Sequence, residues 1–228
     1  MERSRCSLSR PDRPDRFTLG GREWDLLDGV FAPVYSPSTE TALDLLGLTG
    51  ERAGPWPGSF LEIGAGTGVV AVTAALAGCR RVVASDVNPA AVRNAELNIA
   101  RHRVGRRARA VHGDMFAGLT PGERFDTVFW SSNYVLAPDW YAYRDLHEAA
   151  YVDVGYRAHR AFVEGAHHWL ADGGSVLLHF SSRGDLDALR RIAADTGRTL
   201  RTRRSVHVPE NVYGDMTVEH LLLEIVAD

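Results

Sequence analysis

The sequence predicts an α/β fold: one mostly parallel sheet with helices on both faces, finished by an antiparallel last strand. Three observations predict it. From residue 59 onward, apolar runs of strand length alternate with segments of helical period, as successive strand–helix–strand units require. The first such run, Phe60-Leu61-Glu62-Ile63, passes directly into the glycine-rich turn Gly64-Ala65-Gly66-Thr67-Gly68. The last two runs are joined only by Pro209 to Asp215, too short for a helical crossover, so they must pair antiparallel.

Taken in chain order, residues 1–15 are polar and proline-bearing and are expected to be disordered. Residues 17–26 read as a hairpin turning at Gly20-Gly21. Val34-Tyr35-Ser36-Pro37 is extended, because a residue before proline avoids the helical region. Ser38 or Thr39 can then cap a helix running through Ala42, Leu45 and Leu46. Strands are placed near 59–64, 81–86, 108–113, 126–131, 173–180, 199–207 and 217–226. Helices are placed near 67–78, 89–102, 155–171 and 184–196. Residues 134–156 are an insert between the fourth of these strands and the next helix, read as a lid. No internal repeat and no second domain is evident, so 16–228 is taken as a single domain.

Composition narrows the function. The 228 residues suffice for one domain with a substantial core, and the formal net charge of -3 implies no general affinity for nucleic acid. No stretch has the length of a membrane helix, and the N-terminus lacks the apolar core of a secretory signal. Cys6 and Cys79 are the only cysteines, which excludes a disulfide framework and fits a reducing cytoplasm. The basic run Arg101, Arg103, Arg106, Arg107 and Arg109 surrounds a helix end, where cations complement the macrodipole. His147-Glu148-Ala149-Ala150-Tyr151 fails the zinc-protease pattern, and no metal site is expected. The composition leaves a homodimer open.

The chemistry-bearing residues cluster at strand ends. Gly64, Gly66 and Gly68 allow a ligand to approach the backbone, and Asp86 closes the second strand, where a carboxylate can accept both ribose hydroxyls. A dinucleotide fingerprint spaces its last two glycines three apart; here the spacing is two, and Glu62 precedes the first glycine. An acid there suits a cationic ligand without phosphate, although Glu62 could instead be a surface acid. This arrangement resembles the first motif of class I S-adenosylmethionine-dependent methyltransferases. The resemblance implies a Rossmann-like seven-stranded sheet and S-adenosyl-L-methionine as cofactor. It places Glu62, Gly64, Ala65, Gly66, Gly68, Asp86, Val87 and Ser131 at that cofactor. In this fold an acid after the third strand bonds the adenine amino group and an apolar neighbour packs on the ring; Asp114 and Met115 or Phe116 stand there.

The fourth strand ends in Trp130-Ser131-Ser132-Asn133-Tyr134. Methyltransferases that modify nitrogen, release-factor glutamine methyltransferases among them, carry Asn-Pro-Pro-Tyr here. Tyr134 aligns with their Tyr, Ser131 stands in place of Asn, and both prolines are missing. Val34-Tyr35-Ser36-Pro37-Ser38-Thr39-Glu40-Thr41 is similar to a Val-Tyr-x-Pro-x-x-acid-Thr segment of the same family. These likenesses imply a methyltransferase acting on nitrogen. Asn133 and Tyr134 are expected to position the acceptor, and His147 or Glu148 to take a proton. Tyr35, Trp130, Trp140, Tyr143 and Tyr151 are the expected substrate contacts, as ring faces suit a cationic or amino-bearing group. The first expectation for the acceptor is a small metabolite bearing an amino, amide or guanidino group. A protein glutamine, met as a peptide, is the alternative; an O-methyltransferase or a non-catalytic cofactor binder are further ones.

Overall fold

The computed structural model describes residues 2–210 and 216–227. Helix α1 (Glu2–Ser9) is followed by the hairpin β1 (Arg16–Leu19) and β2 (Arg22–Asp25), then α2 (Ser38–Leu46). The alternating part runs β3 (Ser59–Ile63), α3 (Val69–Leu76), β4 (Arg81–Asp86), α4 (Pro89–Arg101), β5 (Ala108–His112) and β6 (Phe125–Ser131). Two short strands, β7 (Val135–Ala137) and β8 (Val152–Val154), precede α5 (Arg157–Gly165), β9 (Leu170–Ser181), α6 (Leu186–Asp195), β10 (Arg198–Glu210) and β11 (Met216–Ala227).

Seven strands form one sheet in the order β10-β11-β9-β6-β3-β4-β5. Pairing is parallel from β9 through β6, β3, β4 and β5, and β11 runs antiparallel to both β9 and β10. This is the expected Rossmann-like sheet with its reversed last strand. The turn inside the β10–β11 hairpin lies at 211–215, outside the described residues. The chain winds outward from β3 through β4 to β5, then returns to lay β6 on the other side of β3. That reversal opens a crevice at the carboxyl ends of β3 and β6, where such sheets bind ligands.

Both sheet faces are buried. Phe60 of β3 packs with Leu43, Val70, Val82, Ile99 and Phe129, on the side of α2, α3 and α4. Leu61 and Ile63 point the other way, onto Val83, Val128, Trp130, Phe162 and Leu189, on the side of α5 and α6. The period-two alternation puts Glu62 on the α3 side, and this settles what it contacts.

The hairpin turns as expected at Gly20 and Gly21, with φ of 58° and 71°, a left-handed pair that only glycine adopts cheaply. It is bound to α4. Asn98 and Asn94 accept from the backbone N–H groups of Asp25 and Leu27, and Arg101 grips both Asp25 carboxylate oxygens at 2.8 and 2.6 Å. Arg101 and Arg109, which pairs with Glu123 at 2.7 Å, are thus committed within the fold.

Four expectations are corrected. Residues 2–9 form a helix, because Ser4 and Ser7 are small enough to bury, and Ser4 donates to or accepts from His147 at 2.8 Å; local composition does not see such a partner. Neither Ser38 nor Thr39 caps α2: Pro37 occupies that position with no side-chain bond. The sequence reading places no strand between 131 and 173, yet β7 and β8 pair in parallel across the base of the insert, with a 3-10 turn at Glu148–Ala150 between them. The helix expected over 155–171 stops as α at Gly165 and tightens to 3-10 through Trp169.

Candidate active site

A cavity of about 880 Å³ opens at the carboxyl ends of β3, β4 and β6 and runs beneath the insert. Its walls come from the glycine turn, Asp86 and Val87, Asp114 and Met115, the 130–135 segment, the insert and α1.

The glycine turn is built from three left-handed residues: Gly64, Gly66 and Gly68 have φ of 63°, 55° and 76°. Their roles differ. A Cβ on Gly68 would fall 2.9 Å from Ala95 of α4, so this glycine lets two helices approach. A Cβ on Gly64 would fall 3.0 Å from the Trp130 indole nitrogen. At Gly66 nothing lies within 4 Å, so a side chain there would meet only open space. Gly66 also donates its N–H to Asp86 Oδ2 at 2.8 Å, and Asn88 donates to Oδ1 at 2.8 Å. Two acceptor positions therefore stay available on that carboxylate. Burial raises the Asp86 pKa, and the two backbone N–H groups oppose this.

Glu62 is 2 % exposed and accepts from the Ala71 N–H in the first turn of α3, at 2.8 Å. It is a buried helix-terminus acceptor that also lines the cavity, not a surface acid. Burial pushes its pKa well above the ordinary value. Ala65 and Val87 line the cavity. After β5, Asp114 and Met115 line it and Phe116 does not; the Phe116 ring stacks on Phe162 and Trp169 instead.

At the end of β6, Trp130, Ser131, Ser132, Asn133 and Tyr134 all line the cavity. The Asn133 amide nitrogen donates to the carbonyls of Ala149 and Val152 at 2.7 and 2.8 Å, fastening the insert. Its Oδ1 is buried and has no hydrogen-bond partner among the described residues. Ser131 Oγ lies 2.9 Å from His179 Nδ1. The Tyr134 ring packs edge-on against His179, Phe180 and His220.

The insert supplies Tyr143, His147 and Tyr151 to the cavity. His147 is 3 % exposed, and burial pushes its pKa down to about 4, which makes it a weak base. Glu148 does not reach the cavity. Its Oε2 accepts from Tyr141 Oη and the Arg144 N–H, which hold its pKa below the ordinary range and spend it on the insert's own shape. Trp140 is 82 % exposed, and Tyr35 lies under the Arg10 guanidinium; neither lines the cavity. The neighbours of Tyr35 do line it: Ser36, Ser38 and Thr39, with Phe31 beside them. Sequence reasoning singled out that segment but selected its aromatic residue. Asp153 was also missed as a structural anchor: it takes the backbone N–H groups of Ala158 and His159 and the His159 ring at the start of α5.

Residues 60–152 match the methyltransferase domain family. Over that stretch the chain is similar to methyltransferase domains. A release factor glutamine methyltransferase from Bordetella pertussis is 35% identical over 135 residues, which is 55% of this chain and 47% of that protein. A ribosomal protein L11 methyltransferase from a Geobacter species is 40% identical over 81 residues, 33% of this chain and 26% of that one. The chain thus spans half or less of the length of these two curated relatives. The solved structure of a Thermus thermophilus 16S rRNA methyltransferase, in complex with AdoMet and guanosine, superposes with a TM-score of 0.60. At 20% identity, over 93% of this chain and 50% of that one, it shares the fold. The described residues contain no group of three or more potential metal ligands, and no described helix is long and apolar enough to cross a membrane.

Proposed function

We propose that this chain transfers a methyl group from S-adenosylmethionine to a side-chain nitrogen of a protein, with a glutamine amide as the leading acceptor. The residues suit that cofactor: open space over Gly66, a carboxylate at Asp86 with acceptor capacity to spare, Asp114 and Met115 beside it, and no clustered cations for a phosphate. When bound, the cofactor supplies a methyl carbon already activated by a sulfonium. The chain must hold the acceptor nitrogen in line with it, and orientation of this kind contributes roughly 7–11 kcal/mol.

The observation that carries the nitrogen reading is Asn133 Oδ1. A buried acceptor with no partner costs roughly 1–3 kcal/mol; Oδ1 is closed off from solvent, so an N–H of the acceptor group offsets that cost once the Asn133 side chain, which lines the cavity, turns toward it. A phenol or alcohol would need a base instead. The insert's histidine, His147, is a weak one, and Glu148 is engaged elsewhere; an amide nitrogen keeps its N–H groups until the methyl has arrived, and the methylated cation is acidic enough to give up its extra proton to water. The release-factor relatives support a protein amide over the small metabolite that the sequence put first. One feature favours a small acceptor as second reading: α1 and the insert, through Arg3, Leu146 and Tyr151, wall the acceptor side of the cavity.

The test is to incubate the chain with methyl-labelled S-adenosylmethionine and an unmethylated bacterial release factor. Label on a glutamine side chain supports the reading. S-adenosylhomocysteine formed only with amine or guanidine metabolites overturns the protein substrate, and cofactor binding without turnover overturns catalysis.

A further inference from the structure

A line of three side chains leads from the cavity into the core. Ser131 closes β6 and lines the cavity. Its parallel cross-strand partner on β9 is His179, whose Nδ1 lies 2.9 Å from Ser131 Oγ. His179 Nε2 lies 2.9 Å from Nδ1 of His220 on β11, and the two rings stack at 5.1 Å and 29°. Both histidines are fully buried, and burial pushes His179 down to about 3, so it is neutral at any physiological pH. A neutral imidazole carries one N–H. Each of the two contacts needs one hydrogen, so the chain has only two registers. Either every hydrogen points inward, from Ser131 to His179 to His220, or every hydrogen points outward. In the first, the Ser131 oxygen shows lone pairs to the cavity. In the second, it shows its O–H.

We infer that the His179–His220 pair holds Ser131 in the inward register, so that Ser131 Oγ accepts a hydrogen bond from the acceptor nitrogen beside Asn133 Oδ1. This rests on the nitrogen reading above. A primary amide nitrogen has two N–H groups, and Ser131 and Asn133 then offer it two acceptors, turning its lone pair away from both. His179 and His220 are positioning residues, acting through Ser131. Two buried imidazoles are costly core material, and a serine needing only a partner could bond a carbonyl, as Ser132 does with His179.

Two readouts test this. The first is the imidazole nitrogen NMR spectrum of the 15N-histidine protein with S-adenosylhomocysteine bound, which needs no turnover. The inference expects His179 as the Nε2–H tautomer, with Ser131 donating to Nδ1. An Nδ1–H tautomer overturns it, whatever the substrate proves to be. The second is a double-mutant cycle on methylation of the release factor, with S-adenosylhomocysteine affinity as the folding control. On this assignment Ser131 serves the acceptor and not the cofactor, as the motif likeness implied, so Ser131→Ala and His179→Phe should each lower kcat about 10- to 100-fold, leave cofactor affinity unchanged, and lose no more when combined. His179→Gln, which can still accept from Ser131, should restore most of kcat. Fully additive losses, or equal loss in His179→Phe and His179→Gln, would mean that His179 only fills the core. If the wild type leaves the release factor unmodified while the tautomer is as expected, the substrate reading fails and the register stands.

Discussion

At the scale of single residues, three glycines with one backbone conformation do three different things, and this separates binding from folding. Gly66→Ala places a methyl in open space, at a strain of roughly 1–2 kcal/mol for a left-handed alanine. It should therefore weaken cofactor binding while the protein stays folded. Gly68→Ala drives that methyl into Ala95 of α4 and should lower the melting temperature markedly. Thermal melts of the two variants, with and without S-adenosylhomocysteine, distinguish them; equal destabilisation would refute the division. Asp86→Ala removes charge-assisted bonds worth roughly 1.5–3 kcal/mol, so cofactor affinity should fall about 10- to 150-fold by calorimetry. His147 gives a pH signature. In the unfolded chain its imidazole takes a proton below about 6.5, while the folded one resists until about 4. Unfolding therefore takes up a proton in that window, and the wild type loses stability as pH falls. His147→Phe abolishes this, so between pH 7 and pH 5 the variant should gain about 2 kcal/mol relative to wild type in urea titrations. A constant difference would show that the imidazole is not held neutral.

At the scale of elements, strands and helices of the sheet were legible because their hydrophobic period and their punctuation agree: Pro89 and Asn88 start α4, and the Gly20-Gly21 pair can only turn. The cavity wall proposed to hold the nucleoside was legible for the same reason, since glycines and a strand-end acid have meaning at short range. The acceptor half was not. Whether Tyr35 or Ser36 faces the cavity, and whether Glu148 or His147 does, depends on contacts with α1 and on the small β7–β8 pairing, neither of which leaves a local pattern. The insert remains the element expected to respond to ligands. Its anchors are side-chain bonds from Asn133, Tyr143 and Glu148 rather than a regular ladder. Amides of residues 138–151 should exchange faster than those of β3 and β6, and slow once cofactor and acceptor are both bound. Exchange as slow as the central strands without ligand would make the insert a fixed wall.

At the scale of the whole molecule, the sheet order brings the residues proposed for cofactor and acceptor to a single crevice. The outward winding β3-β4-β5 carries Gly66, Asp86 and Asp114 to one side, and the return to β6 carries Ser131 and Asn133 to the other. The N-terminal helix and the insert then roof the acceptor side. On the proposed function, this crevice holds a nucleoside without a pyrophosphate, presented by the glycine turn and Asp86. Calorimetric titration of the wild-type protein with S-adenosylhomocysteine, followed by NAD in a second run, tests it most directly. One S-adenosylhomocysteine should bind per chain, and NAD should give no heat. Tighter binding of NAD, or S-adenosylhomocysteine affinity that Asp86→Ala leaves unchanged, would contradict it.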